Sequence, residues 1–329
     1  MSKRLSWLFS TADVLLVPFV VPAAWILKAV RRAGIERLPR VRSILRSIGV
    51  FPVRNHYYEP LFDFSQLTQP LDRDRPLPGI DMNVPGQLAL LQRMTFTDEL
   101  SSFPVEPCGD GLYAYDNGWY GAGDAEFLYS IIRLMKPRCV LEVGSGYSTL
   151  MAIEALRRNA AEGAPACAHV CIEPYERPWL EEKGVVVMRK RLEDADLGLF
   201  SSLGENDILF IDSSHIIRPQ GDVLKEVLEI LPTLRPGVLV HFHDIFTPRD
   251  YPESWLKEKV LFWNEQYLLE AFLSCNRDFE IIGALDFLSR HHFDDVAAKF
   301  PILAAKGMAA APGALWLRRR ESARQIGTQ

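Results

Sequence analysis

The 329-residue sequence predicts a doubly wound α/β domain with a seven-stranded, mostly parallel sheet, preceded by a hydrophobic N-terminal helical segment. Three observations predict it. From Asp124 onward, short apolar runs alternate with stretches of helical length. The runs are mostly apolar at consecutive positions, as in strands covered on both faces, and not at every second residue. The first run ends in Gly144-Ser145-Gly146, a glycine-rich strand-to-helix turn. A composition of 48% hydrophobic and 24% charged residues suits a large core and excludes disordered, collagen-like and disulfide-scaffold classes.

Residues 1–50 form a basic, hydrophobic head. Across residues 5–27 the one charge is Asp13, and a bilayer-spanning helix needs roughly 20 such residues. Pro18 and Pro22 each remove a helix hydrogen bond, and the uninterrupted apolar part, 14–27, has the length of a re-entrant or interfacial element. Lys28, Arg31 and Arg32 follow with no small-residue cleavage site, which disfavours export. Residues 1–54 carry ten Lys/Arg against two acids, leaving 27 basic against 40 acidic residues in the rest. Such a head is attracted to an anionic leaflet, which predicts membrane association on the cytoplasmic face; the alternative is a helical hairpin packed on its own body. The overall charge of −5 gives no reason to bind nucleic acid. Five cysteines without a CxxC pair fit a reduced, cytoplasmic body.

Residues 51–114 read as a Pro-rich connector and cap, with a helical run at 87–100. The α/β domain occupies 115–320 and a tail 321–329. Helix 124–135 opens on an acid and stops before Pro137. Strands are expected at 139–143, 169–172, 185–188, 208–211, 238–242, 279–285 and 314–317. Helices are expected at 148–159, 176–183, 192–200, 220–231 and 255–276. Residues 286–313 contain several breakers, so the last strand is expected to return antiparallel.

Without Cβ atoms at Gly144 and Gly146 the backbone can approach a ligand at the free N–H groups of a helix start. A dinucleotide fingerprint needs a third glycine where this chain has Thr149, which speaks against a nicotinamide oxidoreductase. Glu142 and Glu173 instead end adjacent strands at the crevice where doubly wound folds bind ligands.

With Glu142-Val143-Gly144-Ser145-Gly146, Ile172-Glu173-Pro174, residues 210–215 (FIDSSH) and 237–246 (GVLVHFHDIF), the chain resembles the class I S-adenosylmethionine-dependent methyltransferases. The likeness is to their metal-assisted O-methyltransferase-like and cephalosporin-hydroxylase-like branch, with its Rossmann-like sheet and antiparallel last strand. The resemblance implies that Glu142, Gly144, Ser145 and Gly146 face the amino-acid part of S-adenosylmethionine, Glu173 the ribose, Leu192 and Glu193 the adenine, with Asp212 beside them. It also implies that 116–120, with Tyr120, and Asp124 belong to a segment covering the cofactor.

Asp212 ends the fourth strand and is followed by His215; His241, His243 and Asp244 end the fifth. Three readings stay open. Asp212 and Asp244 can hold Mg²⁺ or another divalent cation, with His243 as a third donor that favours a softer ion. His215 or His243 can act as a metal-free general base. The imidazoles can also merely cap strand ends. Catalysis is thus expected from Asp212, His215, His243 and Asp244, in O-methyl transfer to a small-molecule or a glycan- or lipid-linked hydroxyl. The alternative is a relative that keeps the fold as a metal-binding scaffold. Tyr251, Trp255 and 265–267 read as an aromatic lid over the substrate.

Overall fold

The computed structural model describes residues 3–109, 111–175 and 178–321. The chain divides into two compact units, Met1–Pro70 and Leu71–Gln329.

In the first unit, α1 (Lys3–Ala33) is a single helix that continues through Pro18 and Pro22. The two prolines lie four residues apart, so the missing N–H groups fall on one face while the remaining bonds hold the helix. Among the described residues, Trp7–Ala33 is the one stretch long and apolar enough to cross a bilayer, with mean hydropathy 1.9 and none of it buried. The amphipathic α2 (Pro39–Ile48) begins on a proline and stops at Gly49 in the left-handed region.

The second unit is the α/β domain. Its strands are β1 (Cys139–Val143), β2 (Ala168–Ile172), β3 (Val186–Met188), β4 (Ile208–Ile211), β5 (Leu239–Phe242), β6 (Phe279–Ala284) and β7 (Leu315–Arg319). They form one sheet in the order β3-β2-β1-β4-β5-β7-β6. β1 to β5 pair in parallel, and β7 inserts antiparallel between β5 and β6. The seven strands and the antiparallel return match the expectation. The strand order reverses between β1 and β4, which opens a crevice at their carboxyl ends.

Alternate residues feed two cores. Val140, Ile208, Phe210 and Trp316 pack with α5 (Asp124–Met135) and α6 (Tyr147–Ala161) on one face. Leu141, Val143, Leu209, Ile211 and Val240 pack on the other. The α3 (Val84–Gln92) and α4 (Thr97–Ser101) helices replace the single run expected at 87–100, and their Leu90, Leu91 and Leu100 belong to the first core. The unit boundary therefore falls inside the Pro-rich connector.

Several helices differ from expectation. Of the helix expected at 176–183, residues 176 and 177 lie outside the described residues, and Pro178–Lys183 is a 3-10 turn. Most of the 321–329 tail also lies outside them. The run at 192–200 is a 3-10 turn, Leu192–Asp194, followed by the short helix Leu197–Ser201. The helix expected at 220–231 contains a π turn, Glu226–Ile230. The single helix expected at 255–276 is two, Glu253–Lys257 and Glu265–Leu273. Between them Val260 takes a positive φ, and the N–H groups of Asn264 and Glu265 donate to the His215 carbonyl at 3.0 and 3.2 Å, so tertiary bonding overrides helix periodicity. Between β6 and β7 the breakers delimit three short helices, Leu285–His291, Phe293–Ala297 and Pro301–Lys306.

Candidate active site

The carboxyl ends of β1 and β4 frame a cavity of about 280 Å³ lined by Gly144, Glu173, Leu192, Glu193 and Asp212. Glu173 is buried; its carboxylate accepts from the Ser145 N–H at 3.1 Å and the Tyr175 N–H at 3.0 Å, which fixes the glycine turn. Gly146 N–H donates to the Thr149 hydroxyl at 3.0 Å, so Thr149 closes the turn where a dinucleotide fingerprint has glycine. Leu192 forms an apolar wall, and Glu193 is held by Arg218 at 2.9 Å.

The expectation for Glu142 needs correction here. Glu142 does not face the crevice: it is fully buried beneath the turn, accepting from Thr149 Oγ1 at 2.5 Å and Cys171 Sγ at 3.4 Å. Its side chain follows the pleat onto the face of Val140, toward α6, so strand-end position alone misassigned it. At Gly144, φ is +76°, and a Cβ would collide with the Asp212 carbonyl oxygen. The glycine makes room for the backbone at the end of β4.

A second cavity, about 370 Å³, opens on the other side of the strand ends. Tyr115, Trp119, Asp124, His243, Asp244, Phe246, Trp255 and Lys306 line it. Asp124 and Tyr120 do not cover the first crevice. Asp124, at the start of α5, accepts from the Gly313 and Ala314 N–H groups at 3.0 and 2.9 Å and lies 3.6 Å from His243 Nε2. Tyr120 is buried, with its hydroxyl on the Asp124 carbonyl at 3.2 Å and its ring 5.1 Å from that of His243. Both residues support the rim because α5 packs against the sheet ahead of β1.

Between the cavities stands the acid and imidazole cluster. His215 Nε2 lies 3.3 Å from Asp212 Oδ1 and 3.7 Å from Asp244 Oδ2. His243 Nδ1 lies 3.5 Å and 3.6 Å from the same oxygens, so the imidazoles flank the carboxylates on two sides. His215 and Asp244 both adopt positive φ, near +59° and +57°, a strained backbone typical of functional positions. Ligand atoms of Asp212, His215 and Asp244 lie within 4.8 Å of one another, so His215 completes this three-residue donor group. The third donor expected from the sequence, His243, borders it from the opposite side.

The charges follow from the geometry. Burial alone would raise the Asp212 carboxyl, but His243 and His215 hold it well below the ordinary carboxylate range. Burial works against charge on His215, yet Asp212 and Glu265 raise its pKa well above the usual value. His243 is likewise raised against its burial by Asp244, Asp212 and Asp124. Asp244 moves upward, through burial first, with Asp212 and Asp124 adding to it. His241 plays no part: it is fully buried, stacked on Phe210 at 3.9 Å, and desolvation together with His243 keeps it neutral.

Glu265 was misread. Read from the sequence as part of a lid, it is buried, and its carboxylate holds His215 Nδ1 at 2.8 Å. Behind it Glu226, fully buried on the π turn, is pushed far upward by burial, then by Glu265 and Asp222, and stays neutral. Tyr251 is also core, accepting from the Gln266 N–H at 3.1 Å. Of the expected lid, Trp255 remains at the second cavity.

Residues 141–245, from β1 through this rim, match a family described as a methyltransferase domain. That stretch, about a third of the chain, is similar to a methyltransferase domain. A curated relative, an uncharacterized protein of Archaeoglobus fulgidus, is 27% identical over 187 residues, 51% of this chain and 81% of that protein. Among solved structures, the O-methyltransferase TomG of Streptomyces achromogenes is 16% identical, with coverage of 70% of this chain and 90% of that one and a TM-score of 0.37. An O-methyltransferase from Bacillus cereus is 14% identical, with 70% and 91% coverage and a TM-score of 0.33. The α/β domain presents one cavity on each side of its acid and imidazole rim.

Proposed function

We propose that this enzyme transfers the methyl group of S-adenosylmethionine to a hydroxyl of a small-molecule or a glycan- or lipid-linked acceptor. The observation that carries the reading is the pair of cavities meeting at Asp212 and Asp244, one at the strand-order switch and one lined by aromatic side chains. An in-line displacement needs the acceptor oxygen in contact with the methyl carbon, so donor and acceptor would have to meet across the edge of this rim. The sulfonium carbon–sulfur bond breaks, an oxygen–carbon bond forms, and the hydroxyl proton passes to the rim. Both imidazoles are held charged by their carboxylate neighbours, so the group open to a proton is the Asp244 carboxylate, raised by its burial. As an alternative to that proton transfer, Asp212, His215 and Asp244 would hold a divalent cation once His215 gives up its proton, and the cation would supply Lewis-acid polarisation of the hydroxyl. His243 and Glu265 orient that group, and Trp255 shields it.

Calorimetric titration of the whole chain tests the reading. S-adenosylhomocysteine should bind and NAD should not. Methyl transfer to a pool of hydroxyl acceptors, with and without EDTA, then tests the cation. Cation binding without any S-adenosylhomocysteine binding would favour the scaffold alternative and overturn ours.

We further infer that the head holds the enzyme on the cytoplasmic face of a membrane. Unburied apolar residues of α1 followed by Arg31, Arg32 and the basic α2 support this reading. The full chain should float with anionic vesicles and less with neutral ones; equal absence from both would refute it.

A further inference from the structure

Beneath the glycine turn, on the face of the sheet covered by α6, three side chains converge that the proposed reaction does not use. Glu142 of β1 lies beside His169 and Cys171 of β2, all buried. His169 Nε2 and Cys171 Sγ each stand 3.4 Å from Glu142 Oε2, and the three ligand atoms fall within 4.8 Å of one another. The alternation of β2 sets His169 and Cys171 on one face, and the register pairs Cys171 with Glu142.

Two observations point to something missing from this group. Neither ring nitrogen of His169 makes a hydrogen bond among the described residues, although the residue is 7% exposed. Glu142 Oε1 is also buried without a partner. Leaving such atoms unanswered forfeits their hydration with nothing in return. Burial and the neighbouring Glu142 carboxylate push the Cys171 thiol upward, so it becomes a thiolate only where positive charge arrives.

We propose that Glu142, His169 and Cys171 bind a zinc-class divalent cation under the donor turn. A tetrahedral zinc ion with bonds of about 2.0–2.3 Å has ligand-to-ligand edges of about 3.3–3.7 Å, the range of both separations to Glu142. The mixed nitrogen, oxygen and sulfur set suits Zn²⁺ and disfavours Mg²⁺ or Ca²⁺, which take oxygen donors. An entry path exists: His169 lines a cavity of about 370 Å³, bounded by Ile153, Arg157 and Lys183. The same Glu142 oxygen accepts from Thr149, whose hydroxyl holds the Gly146 N–H. A cation here therefore stiffens the turn that borders the donor crevice, a structural role separate from the rim.

Cobalt(II) titration of the full chain tests this, because a cobalt–thiolate charge-transfer band reports the cysteine and is silent about the rim, which has none. The wild-type chain should develop the band at one cobalt per chain and lose it on adding zinc. Cys171→Ser should abolish it, His169→Gln should weaken cobalt binding at least about tenfold, and Cys167→Ser should leave it intact. Cobalt uptake without a thiolate band, or no uptake, overturns the site without using any variant. So does a band that survives Cys171→Ser.

Discussion

At the first cavity Glu173 is answered by the Ser145 and Tyr175 N–H groups and Glu193 by Arg218. At the acceptor rim Asp212 and Asp244 are answered by two imidazoles instead. Backbone donors cannot change their charge, whereas imidazoles and carboxylates can gain or lose a proton. Under the proposed function, the difference separates a surface that holds a ligand from one that moves a proton.

The largest expected effect falls on the rim. Asp244→Asn should lower methyl transfer by roughly 10²–10⁴-fold, the range for a lost acid–base group. Affinity for S-adenosylhomocysteine should change less than about twofold, since Asp244 lines the other cavity. A parallel loss of donor affinity would break the division into two surfaces.

On the donor side, Glu173→Ala frees the Ser145 and Tyr175 N–H groups and loosens the turn. Calorimetry should show S-adenosylhomocysteine binding weakened about 10–100-fold, equivalent to roughly 1.4–2.8 kcal/mol. Unchanged affinity would mean that the ligand avoids this crevice.

The smallest effect concerns stability. Glu126, in the first turn of α5, is pushed up to about 7 by burial, even though its carboxylate accepts from the Gly123, Ile302 and Leu303 N–H groups. The folded state keeps the proton that an unfolded glutamate releases near 4.5. The stabilisation is therefore complete below about 4.5 and disappears as pH rises through about 7, an upper limit of about 3 kcal/mol. Urea midpoints should fall between pH 5 and 8, and Glu126→Gln should flatten that slope while lowering stability at every pH. An unaltered slope would place the titrating group elsewhere.

The sheet was legible because its central strands are mostly apolar runs covered on both faces, which periodicity registers directly. The order of the site residues was legible too, since Asp212, His243 and Asp244 sit at strand ends. What stayed hidden depends on contacts between distant segments. Glu265 meets His215 fifty positions away and breaks the helix expected around it. Glu142 looked like a crevice residue because its strand position says nothing about Thr149 and Cys171 closing over it. Asp124 supports His243 through a turn at 313–314 that no local pattern announces.

The close approach of Gly144 to the Asp212 carbonyl has a consequence for how this enzyme can change over generations. Any side chain at 144 would wedge the end of β4 away from β1 and displace donor turn and rim together. The two halves of the site share a hinge pin and cannot drift apart independently. New acceptors must then be found by altering the rim's far wall, around 115–122 and 306–313, where substitutions leave that joint untouched.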